Sequence, residues 1–309
     1  MYNYLLIDGH NFAWRAGSVL HLRSQEGKNV SVTFGMLSMV RSLLEEYQPK
    51  VVCICWDFKG SEAKETVFPE YKEHRKKIRS GLPDDFYKEI IIQIAELQTM
   101  LPYFGVRQLK KEGIEADDLI GLLCSLLEKV LVVTSDRDLL QVVSMGANLF
   151  YTPKGEVVTH ENFTRFSKVK PELYVYYRSL IGDPGDGIPG LKGFGEVTAN
   201  RLIEKYGKWE DWFEGNRVRV EVLEGLNKSQ KRILQDPETK GILIRNYTLM
   251  NIGGLIQDRK NEIVGEFLSQ KPVFNEEKIR EYFLENQFDS YLARYHAWIH
   301  PFRRLVKGQ

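Results

Sequence analysis

The stretch Tyr4-Leu-Leu-Ile-Asp-Gly9 decides the fold class of this chain, because its pattern of an apolar run closed by an aspartate occurs twice more. The other two stretches are Val51-Val-Cys-Ile-Cys-Trp-Asp57 and Val130-Leu-Val-Val-Thr-Ser-Asp136. Continuous apolar, β-branched runs of this kind are typical of buried strands in a parallel sheet. Since ligands collect outside the carboxyl ends of such strands, the three aspartates are predicted to face one cleft. Each of them could instead be a turn residue or a helix N-cap.

Helical patterns separate these strands, at residues 32–47, 84–101 and 115–129. The alternation of strand and helix predicts a three-layer α/β/α fold with a mostly parallel central sheet. From about residue 171 the pattern is mostly helical, at 171–181, 196–206 and 276–284, and ends in a polar tail. We therefore predict an α/β core over residues 1–170 and a helical region over 171–309 packed on that core.

Composition and charge are those of an ordinary globular protein. The 309 residues are 43% hydrophobic and 28% charged, and the net charge of +1 gives no sign of a nucleic-acid partner. The odd number of cysteines, Cys53, Cys55 and Cys124, all in apolar stretches, predicts buried reduced thiols and an intracellular chain. No apolar run reaches the roughly 20 residues that cross a bilayer, and the N-terminus lacks a signal-peptide pattern. We expect a cytoplasmic protein without membrane contact.

Acidic residues stand at strand ends, at a helix start and in a glycine-rich loop. They are Asp8, Asp57, Glu115, Asp117, Asp118, Asp136, Asp138, Asp183 and Asp186. Carboxylates that converge without cations repel one another, so a fold that gathers them is expected to hold metal. Oxygen ligands without a Cys/His cluster favour Mg²⁺ or Mn²⁺ over zinc.

Two of these acidic motifs have simpler readings. Glu115-Ala-Asp-Asp118 begins a predicted helix, where Glu115 and Asp118 share a face, but acids in a first turn also complement the helix dipole. Ser135-Asp-Arg-Asp138 follows a strand, and alternation would place both aspartates on one side. A strand-end Asp-x-Asp also occurs in phosphohydrolases with an aspartyl nucleophile, and a polar loop is the plainest alternative.

A glycine-rich segment, Gly182-Asp-Pro-Gly-Asp-Gly-Ile-Pro-Gly190, is followed at once by the hairpin Leu191-Lys-Gly-Phe-Gly195. The hairpin leads into a predicted helix, and amide groups at a helix N-terminus suit a phosphodiester. Helix–hairpin–helix elements bind DNA in this way through backbone atoms. The alternative is a surface loop rich in turn residues.

A basic segment, Tyr71-Lys-Glu-His-Arg-Lys-Lys-Ile-Arg79, follows the second strand closely. Residues 62–81 carry six Lys/Arg against four acids, an excess that a solvated helix face would also explain. Its position after Asp57 predicts that it overhangs the acidic rim. Cations and a tyrosine ring there could engage phosphate and a base.

Together these motifs resemble the structure-specific 5′-nuclease family: flap endonucleases, the 5′-nuclease domains of bacterial DNA polymerases I, and bacteriophage 5′-exonucleases. The matching pieces keep the family's order over residues 4–250. They are Leu5-Leu-Ile-Asp-Gly9, Cys55-Trp-Asp-Phe58, Tyr71-Lys-Glu-His-Arg75, Glu115-Ala-Asp-Asp-Leu119, Thr134-Ser-Asp-Arg-Asp-Leu-Leu-Gln141, the segment 182–199 and Asn246-Tyr-Thr-Leu-Met250. The length without a polymerase leads us to expect a phage or stand-alone bacterial member.

The resemblance implies a helical arch over the active site, formed by the basic segment at about residues 58–85, and roles for individual residues. It implies a first metal site of Asp8, Asp57, Glu115, Asp117 and Asp118 and a second of Asp136, Asp138, Asp183 and Asp186. Catalytic roles are expected for Lys72, Arg75 and Asp118. DNA contacts are expected from Tyr71, Lys72, Arg75, Lys76, Arg79, Lys192, Gly193, Gly195 and Thr198. The resemblance also implies a potassium ion on the hairpin carbonyls between Gly190 and Gly195.

The implied reaction is hydrolysis of a DNA phosphodiester near a 5′ end with two Mg²⁺ ions roughly 3.5–4 Å apart, which Mn²⁺ can replace. Substrates are expected to be DNA with a 5′ end, flap or nick, with RNA–DNA hybrids as a further class. Replication proteins are candidate partners, and the chain is expected to be a monomer. Two alternatives stay open: a catalytically weak DNA-binding relative, and a small-molecule phosphohydrolase.

Two departures from the family pattern stand out. The family often has Phe-Arg where this chain has Ala63-Lys64. The familiar hairpin Gly-Ile-Gly-Pro-Lys-Thr-Ala reads Gly193-Phe-Gly-Glu-Val-Thr-Ala199, so Val197 replaces a phosphate-contacting lysine and Glu196 adds a negative charge. We expect weaker anchoring of the duplex, partly recovered by Lys192.

Overall fold

A computed structural model describes residues 1–73 and 84–307 of the chain. Among these residues, six strands form the central sheet in the order β3-β2-β1-β4-β5-β6. The strands are β1 Tyr4–Asp8, β2 Val51–Trp56, β3 Arg107–Lys110, β4 Val130–Thr134, β5 Asn148–Tyr151 and β6 Glu156–Val158. All neighbours are parallel except β5 and β6. The predicted α/β class with a mostly parallel sheet is confirmed.

The three strands predicted from the apolar runs form the centre of the sheet. Ile7 of β1 lies beside Ile54 of β2 and Val133 of β4, so the three strands end at the same edge. The outer strands β3, β5 and β6 were not expected. The sequence Arg107-Gln-Leu-Lys110 shows why: an edge strand that is only partly buried has no apolar run to mark it.

Helices cover most of the remaining chain. They are α1 Gly9–Val19, α2 Ser31–Tyr47, α3 Glu62–Val67, α4 Asp84–Met100, α5 Ala116–Cys124, α6 Tyr174–Ile181, α7 Glu196–Tyr206, α8 Lys228–Leu234, α9 Thr239–Met250, α10 Lys260–Ser269, α11 Glu276–Glu285, α12 Asp289–Leu292 and α13 Tyr295–Lys307. The 3₁₀ helices are Leu101–Tyr103, Asp138–Met145, Phe163–Arg165, Pro171–Leu173, Trp209–Trp212, Val220–Leu223 and Gly254–Arg259. Two short strand pairs complete the set: β7 Gly182–Asp183 with β8 Ile188–Pro189, and β9 Phe213–Glu214 with β10 Arg217–Val218. The helix expected over 115–129 is shorter than predicted, because it ends at Cys124 and a turn follows.

Each face of the sheet is covered by its own hydrophobic layer. Leu6 of β1 belongs to the layer that includes helix α5 and aromatic residues of the later chain, such as Trp209 and Phe267. The neighbouring Leu5 and Ile7 point to the other layer, with helices α1, α2 and α4. Because both layers draw on residues before and after 170, the two regions pack together closely. The boundary at 170 stays a prediction.

The chain after residue 285 is not the polar tail that the sequence suggested. Helix α13 buries Trp298, Ile299, Phe302 and Leu305 in the layer around α2. Their spacing is helical, but the proline inside the helix, Pro301, interrupts the pattern that would have predicted it. The expectation of a polar tail is therefore wrong.

Within the described ranges 1–73 and 84–307, no helix has both the length and the apolar character that crossing a membrane requires.

Candidate metal centre and hairpin

An open cleft of about 910 Å³ lies at the carboxyl ends of the central strands. It is lined by eight of the nine predicted carboxylates: Asp8, Asp57, Glu115, Asp117, Asp136, Asp138, Asp183 and Asp186. Tyr71 and Lys72 also line it. The ninth acid, Asp118, is not among the described residues that line the cleft, so its predicted catalytic role has no support from this geometry.

Asp8 both caps a helix and faces the cleft. It ends strand β1 and accepts a hydrogen bond from the Asn11 backbone N–H at 3.2 Å, as the N-cap of α1. Burial, together with the negative charge of Asp57, raises the pKa of Asp8 from 3.8 to about 8. The N-cap reading and the metal reading of this aspartate are thus compatible.

Asp57 follows strand β2 and ties the start of helix α5 to the cleft. Its Oδ1 accepts a hydrogen bond from the Ala116 N–H at 2.9 Å. Its own N–H donates to His10 Nδ1 at 3.0 Å, and its Oδ2 lies 3.4 Å from the same nitrogen. Sequence reasoning missed His10, although its position two residues after Asp8 was a usable signal.

The carboxylates at the start of α5 already have cations beside them. Lys64 Nζ lies 2.9 Å from Glu115 Oε2, 2.8 Å from Asp118 Oδ2 and 3.5 Å from Asp117 Oδ1. Lys72 Nζ lies 2.6 Å from Glu115 Oε1. Burial alone would raise the pKa of Glu115, but the two ammonium groups outweigh it and lower that pKa to about 2.

Asp117 lies farther from the Lys64 ammonium than Glu115 and Asp118 do. Burial raises the pKa of Asp117 well above its ordinary value, and the charges of Asp118 and Glu115 add to the shift, although Lys64 opposes it. Asp117 lines the cleft. Asp118 is 2% exposed and accepts a hydrogen bond from the Gly253 N–H at 2.9 Å.

Asp136 and Asp138 converge for a different reason from the one predicted. Strand alternation does not apply, because β4 ends at Thr134 and Asp138 begins a 3₁₀ helix. The Asp138 N–H instead donates to Asp136 Oδ1 at 2.8 Å, so a turn holds the pair. Burial raises the pKa of Asp136 as well.

Arg178 of helix α6 bridges Asp138 and Asp183, and sequence reasoning missed it. Its Nη2 lies 2.6 Å from Asp138 Oδ1 and 2.8 Å from Asp183 Oδ2. Even so, burial raises the pKa of Asp138 to about 8, with Asp136 and Asp183 adding to the shift against the pull of Arg178. One guanidinium therefore does not neutralise this group of acids.

Tyr71 and Lys72 lie between the two groups of carboxylates. The Tyr71 hydroxyl is 2.8 Å from Glu115 Oε2 and 3.1 Å from Asp186 Oδ2, and the Lys72 N–H donates to the Asp186 carbonyl at 2.9 Å. Lys72 Nζ is also 3.5 Å from Asp186 Oδ2. Tyr71 is 3% exposed, which favours a role in holding carboxylates over the predicted stacking on a base. The predicted contacts Arg75, Lys76 and Arg79 lie outside the described residues.

The carboxylates fit a divalent metal. Asp138, Asp183 and Asp186 offer oxygens within 4.8 Å of one another, and Glu115, Asp117 and Asp118 do the same. Burial is the main cause of the raised pKa values of Asp8, Asp117, Asp136 and Asp138, and the protein's own cations do not fully compensate the cost of charging these groups. Hard cations with oxygen ligands supply this compensation.

The predicted hairpin lies at the start of helix α7. Gly193 has φ +79°, which favours glycine, and Gly195 occupies the N-cap position without a side-chain cap. Lys192 and Gly193 are exposed, and Thr198 is half-buried. Gln230 Nε2 donates to the Gly193 carbonyl at 2.8 Å and lies 3.4 Å from Thr198 Oγ1. This cross-link from helix α8 was not predicted, because no local pattern marks it.

A family model described as the 5′-3′ exonuclease, N-terminal resolvase-like domain matches residues 3–169. The chain belongs to this 5′-3′ exonuclease family, and the resemblance read from its motifs is confirmed.

Similar proteins include bacterial DNA polymerases I. The thermostable DNA polymerase I of Thermus thermophilus is 32% identical over 223 residues, which cover 70% of this chain and 26% of that protein. DNA polymerase I of Mycobacterium tuberculosis is 31% identical over 250 residues, 76% of this chain and 26% of that protein. The chain thus spans about a quarter of the length of these curated relatives.

Solved structures share the fold. The bacteriophage T5 D15 flap endonuclease, in a complex with DNA and metal ions, has a TM-score of 0.70 at 18% identity, covering 86% of this chain and 98% of that one. Flap endonuclease-1 from Methanococcus jannaschii has a TM-score of 0.59 at 15% identity, covering 99% and 93%.

Proposed function

We propose that this chain is a metal-dependent hydrolase that cleaves DNA phosphodiesters near 5′ ends, as a 5′-3′ exonuclease or flap endonuclease. The observation that carries the proposal is the cleft itself, where eight carboxylates meet beside Lys72 in a member of the 5′-3′ exonuclease family. The DNA and metal ions bound by the bacteriophage T5 D15 flap endonuclease, which has the same fold, support the choice of substrate.

Two magnesium ions, replaceable by manganese, are the proposed cofactors. Asp8, Asp57 and Asp117 would hold one ion, and Asp136, Asp138, Asp183 and Asp186 would hold the other. The all-oxygen ligand set favours these metals, although a solved structure of T5 5′-exonuclease has zinc ions bound. When bound, the ions would supply a water of lowered pKa and would neutralise charge on the phosphate.

Lys72 is the side chain proposed to contact the scissile phosphate. Its ammonium is already held in the cleft by Glu115 at 2.6 Å. A phosphate oxygen would therefore take the place of a carboxylate oxygen as the partner of this ammonium. Tyr71 keeps Glu115 and Asp186 in place during this exchange. We propose Arg75 as a second cation at the phosphate, with Lys76 and Arg79 further along the DNA.

The hairpin is proposed to hold the duplex behind the cleft. Gly193 and Gly195 allow a phosphate to approach backbone N–H groups at the start of α7, and Lys192 and Thr198 flank that point. A potassium ion on the carbonyls between Gly190 and Gly195 would share the hairpin with Gln230, which already donates to one of them. Comparing duplex affinity in potassium and in lithium salts tests this ion.

The proposed substrates are DNA with a 5′ end, flap or nick, and RNA–DNA hybrids. Replication proteins are proposed as partners of a monomer, and analytical ultracentrifugation at micromolar concentration tests the monomer.

Digestion of end-labelled DNA in Mg²⁺ and in EDTA tests the function. We expect release of short 5′-labelled products from a flap in Mg²⁺ and none in EDTA. DNA binding without cleavage in either buffer would instead indicate a DNA-binding relative. Hydrolysis of small phosphate esters with intact DNA would indicate a phosphohydrolase.

A further inference from the structure

Lys64 is a buried lysine for which the proposed reaction has no use. Its side chain is 3% exposed, and its ammonium contacts Glu115, Asp118 and Asp117 at 2.9, 2.8 and 3.5 Å. It stands on the short helix α3, on the chain that leads to Tyr71 and Lys72. A charged group this deep in a protein is normally paired, and here it has three partners.

Distance alone would assign these three carboxylates to a metal ion, because their oxygens lie within 4.8 Å of one another. The oxygens of two of them, Glu115 and Asp118, are already occupied by donors of the protein. Glu115 is bonded by Lys64, Lys72 and Tyr71. A divalent ion placed among them would lie beside a buried ammonium, and like charges at such a separation repel strongly where water is excluded.

Asp118 is held from the main chain as well. The Gly253 N–H donates to Asp118 Oδ1 at 2.9 Å, while Lys64 is on Oδ2. Gly253 has φ +73°, and a Cβ there would come within 2.7 Å of the Leu122 nitrogen, so this residue is fixed as glycine. Both oxygens of Asp118 are therefore taken by protein donors in a fixed position.

Asp117 differs from the other two. Its contact with Lys64 is the longest of the three, at 3.5 Å, and its side chain is 23% exposed, against 12% for Glu115 and 2% for Asp118. Asp117 and Glu115 both line the cleft. Among the described contacts, Tyr71 and Lys72 bond to Glu115 and not to Asp117.

We propose that Lys64 is a resident cation of this carboxylate group. It is a positioning residue: it neutralises Glu115 and Asp118, keeps them out of metal coordination, and leaves Asp117 as the acid of the group that binds metal. The inference rests on the proposed function only in that divalent ions bind in the cleft. It predicts that the chain's own lysine, rather than a metal ion, occupies the position that the acidic triplet suggests.

The test is metal binding without DNA, measured by Mn²⁺ electron paramagnetic resonance and by calorimetry on the full chain. Lys64→Met should gain a further bound Mn²⁺ or bind Mn²⁺ at least about tenfold more tightly, since a like charge beside the site is removed. Lys64→Arg should keep the wild-type stoichiometry. The matched control is Lys59→Met, which removes a cation that lines the same cleft but is exposed.

A second comparison keeps the test decisive if Lys64→Met does not fold. Asp118→Asn should keep the wild-type number of bound ions, whereas Asp117→Asn should weaken Mn²⁺ binding by at least about tenfold. The inference is overturned if Lys64→Met binds Mn²⁺ no differently from Lys59→Met, or if Asp118→Asn loses as much Mn²⁺ affinity as Asp117→Asn.

The outcome is separable from that of the proposed function. A wild-type chain that binds Mn²⁺ and shows these differences, but leaves DNA intact, would contradict the proposed hydrolysis and support the role of Lys64. If the wild-type chain cleaves DNA but Asp118→Asn abolishes Mn²⁺ binding, the proposed hydrolysis is supported and the role of Lys64 is contradicted.

Discussion

Single residues in the cleft fall into two electrostatic classes. Glu115 has its pKa lowered to about 2 against the effect of burial, because Lys64 and Lys72 are bonded to it. Asp8 and Asp138 have theirs raised to about 8, above all by burial. The charged form of Glu115 is thus stabilised by the protein's own lysines, whereas the charged forms of Asp8 and Asp138 are not, and a metal ion bound beside them would lower their pKa values.

Lys72→Ala tests the lysine that reaches both carboxylate groups. Removing the ammonium proposed to contact the phosphate should lower kcat about 10²–10³-fold, as loss of one preorganised electrostatic donor does. The melting temperature should change little, because Glu115 keeps Lys64 as a partner. Lys50→Ala, at the opposite edge of the sheet where β2 begins, is the control. Near-normal turnover of the Lys72 variant would separate the basic segment from the active site.

Metal-free stability should depend on pH through Asp8 and Asp138. Their folded pKa of about 8 exceeds the ordinary 3.8, so the stability they contribute is present below about pH 4 and is lost as the pH rises through 8. Glu115, with its pKa lowered to about 2, contributes stability above about pH 4.5 that is lost only as the pH falls through 2, so it does not alter a comparison of pH 6 with pH 9. Thermal unfolding in EDTA should show a lower melting temperature at pH 9 than at pH 6, and Mg²⁺ should raise it more at pH 9. A Mg²⁺ effect that is equal at both values would contradict this.

At the scale of elements, helix α7 and its hairpin show what sequence can and cannot specify. The helix was predicted at 196–206 and observed as Glu196–Tyr206, because glycines at 193, 195 and 207 punctuate it. The brace from Gln230 was not foreseeable, since it joins residues 37 apart through one side chain. The same brace stiffens a hairpin that carries Val197 and Glu196 where a phosphate-binding lysine is familiar.

Val197→Lys should strengthen duplex binding. Val197 is 77% exposed in the first turn of α7, so the substitution adds a cation near the proposed phosphate site at little structural cost. The slope of log affinity against log salt should steepen by about 0.9, the value for one added phosphate contact. Val19→Lys, with Val19 70% exposed at the far end of α1, is the matched control. Equal slopes for both variants would mean that the duplex does not contact the start of α7.

Some residues of the site were predictable from the sequence and others were not. Strand-end aspartates were placed correctly because the carboxyl ends of parallel strands must meet at one edge. Asp136 and Asp138 meet through a turn that alternation did not describe. Lys64 and Arg178 were missed as partners of the carboxylates. Lys64 lies far from Asp118 in the sequence, as Arg178 does from Asp138, and no local motif links either pair. Cations that neutralise a site are chosen by tertiary packing, which local pattern does not encode.

At the scale of the whole molecule, the last helix of the chain packs in the same hydrophobic layer as the first strands and helices. Helix α13 packs on α2, and Phe302 meets Phe104 with ring centroids 5.1 Å apart. Residues after 275 thus complete the core behind the cleft rather than trail from it. Cutting the chain at its predicted boundary near 170 would expose both hydrophobic layers.

Phe302→Ala tests this closure. A fully buried phenylalanine leaves a cavity when truncated, and the expected loss of unfolding free energy is about 3–5 kcal/mol. Chemical denaturation measures it, with the exposed neighbour His300→Ala as control. Because the cleft lies on other elements, kcat of the folded variant should stay near that of the wild type. A loss below that of His300→Ala would mean that α13 is not part of the core.

The acids of the glycine-rich loop are the proposed metal ligands on which cleavage depends most directly. Asp183→Asn combined with Asp186→Asn should abolish Mg²⁺-dependent cleavage of a 5′-labelled flap, because two of the oxygens grouped within 4.8 Å of Asp138 lose their charge. DNA affinity measured in EDTA should be unchanged or higher, since two negative charges leave the cleft. Cleavage at the wild-type rate, or an equal loss of cleavage and DNA binding in a folded protein, would contradict the proposed role of these two acids as metal ligands.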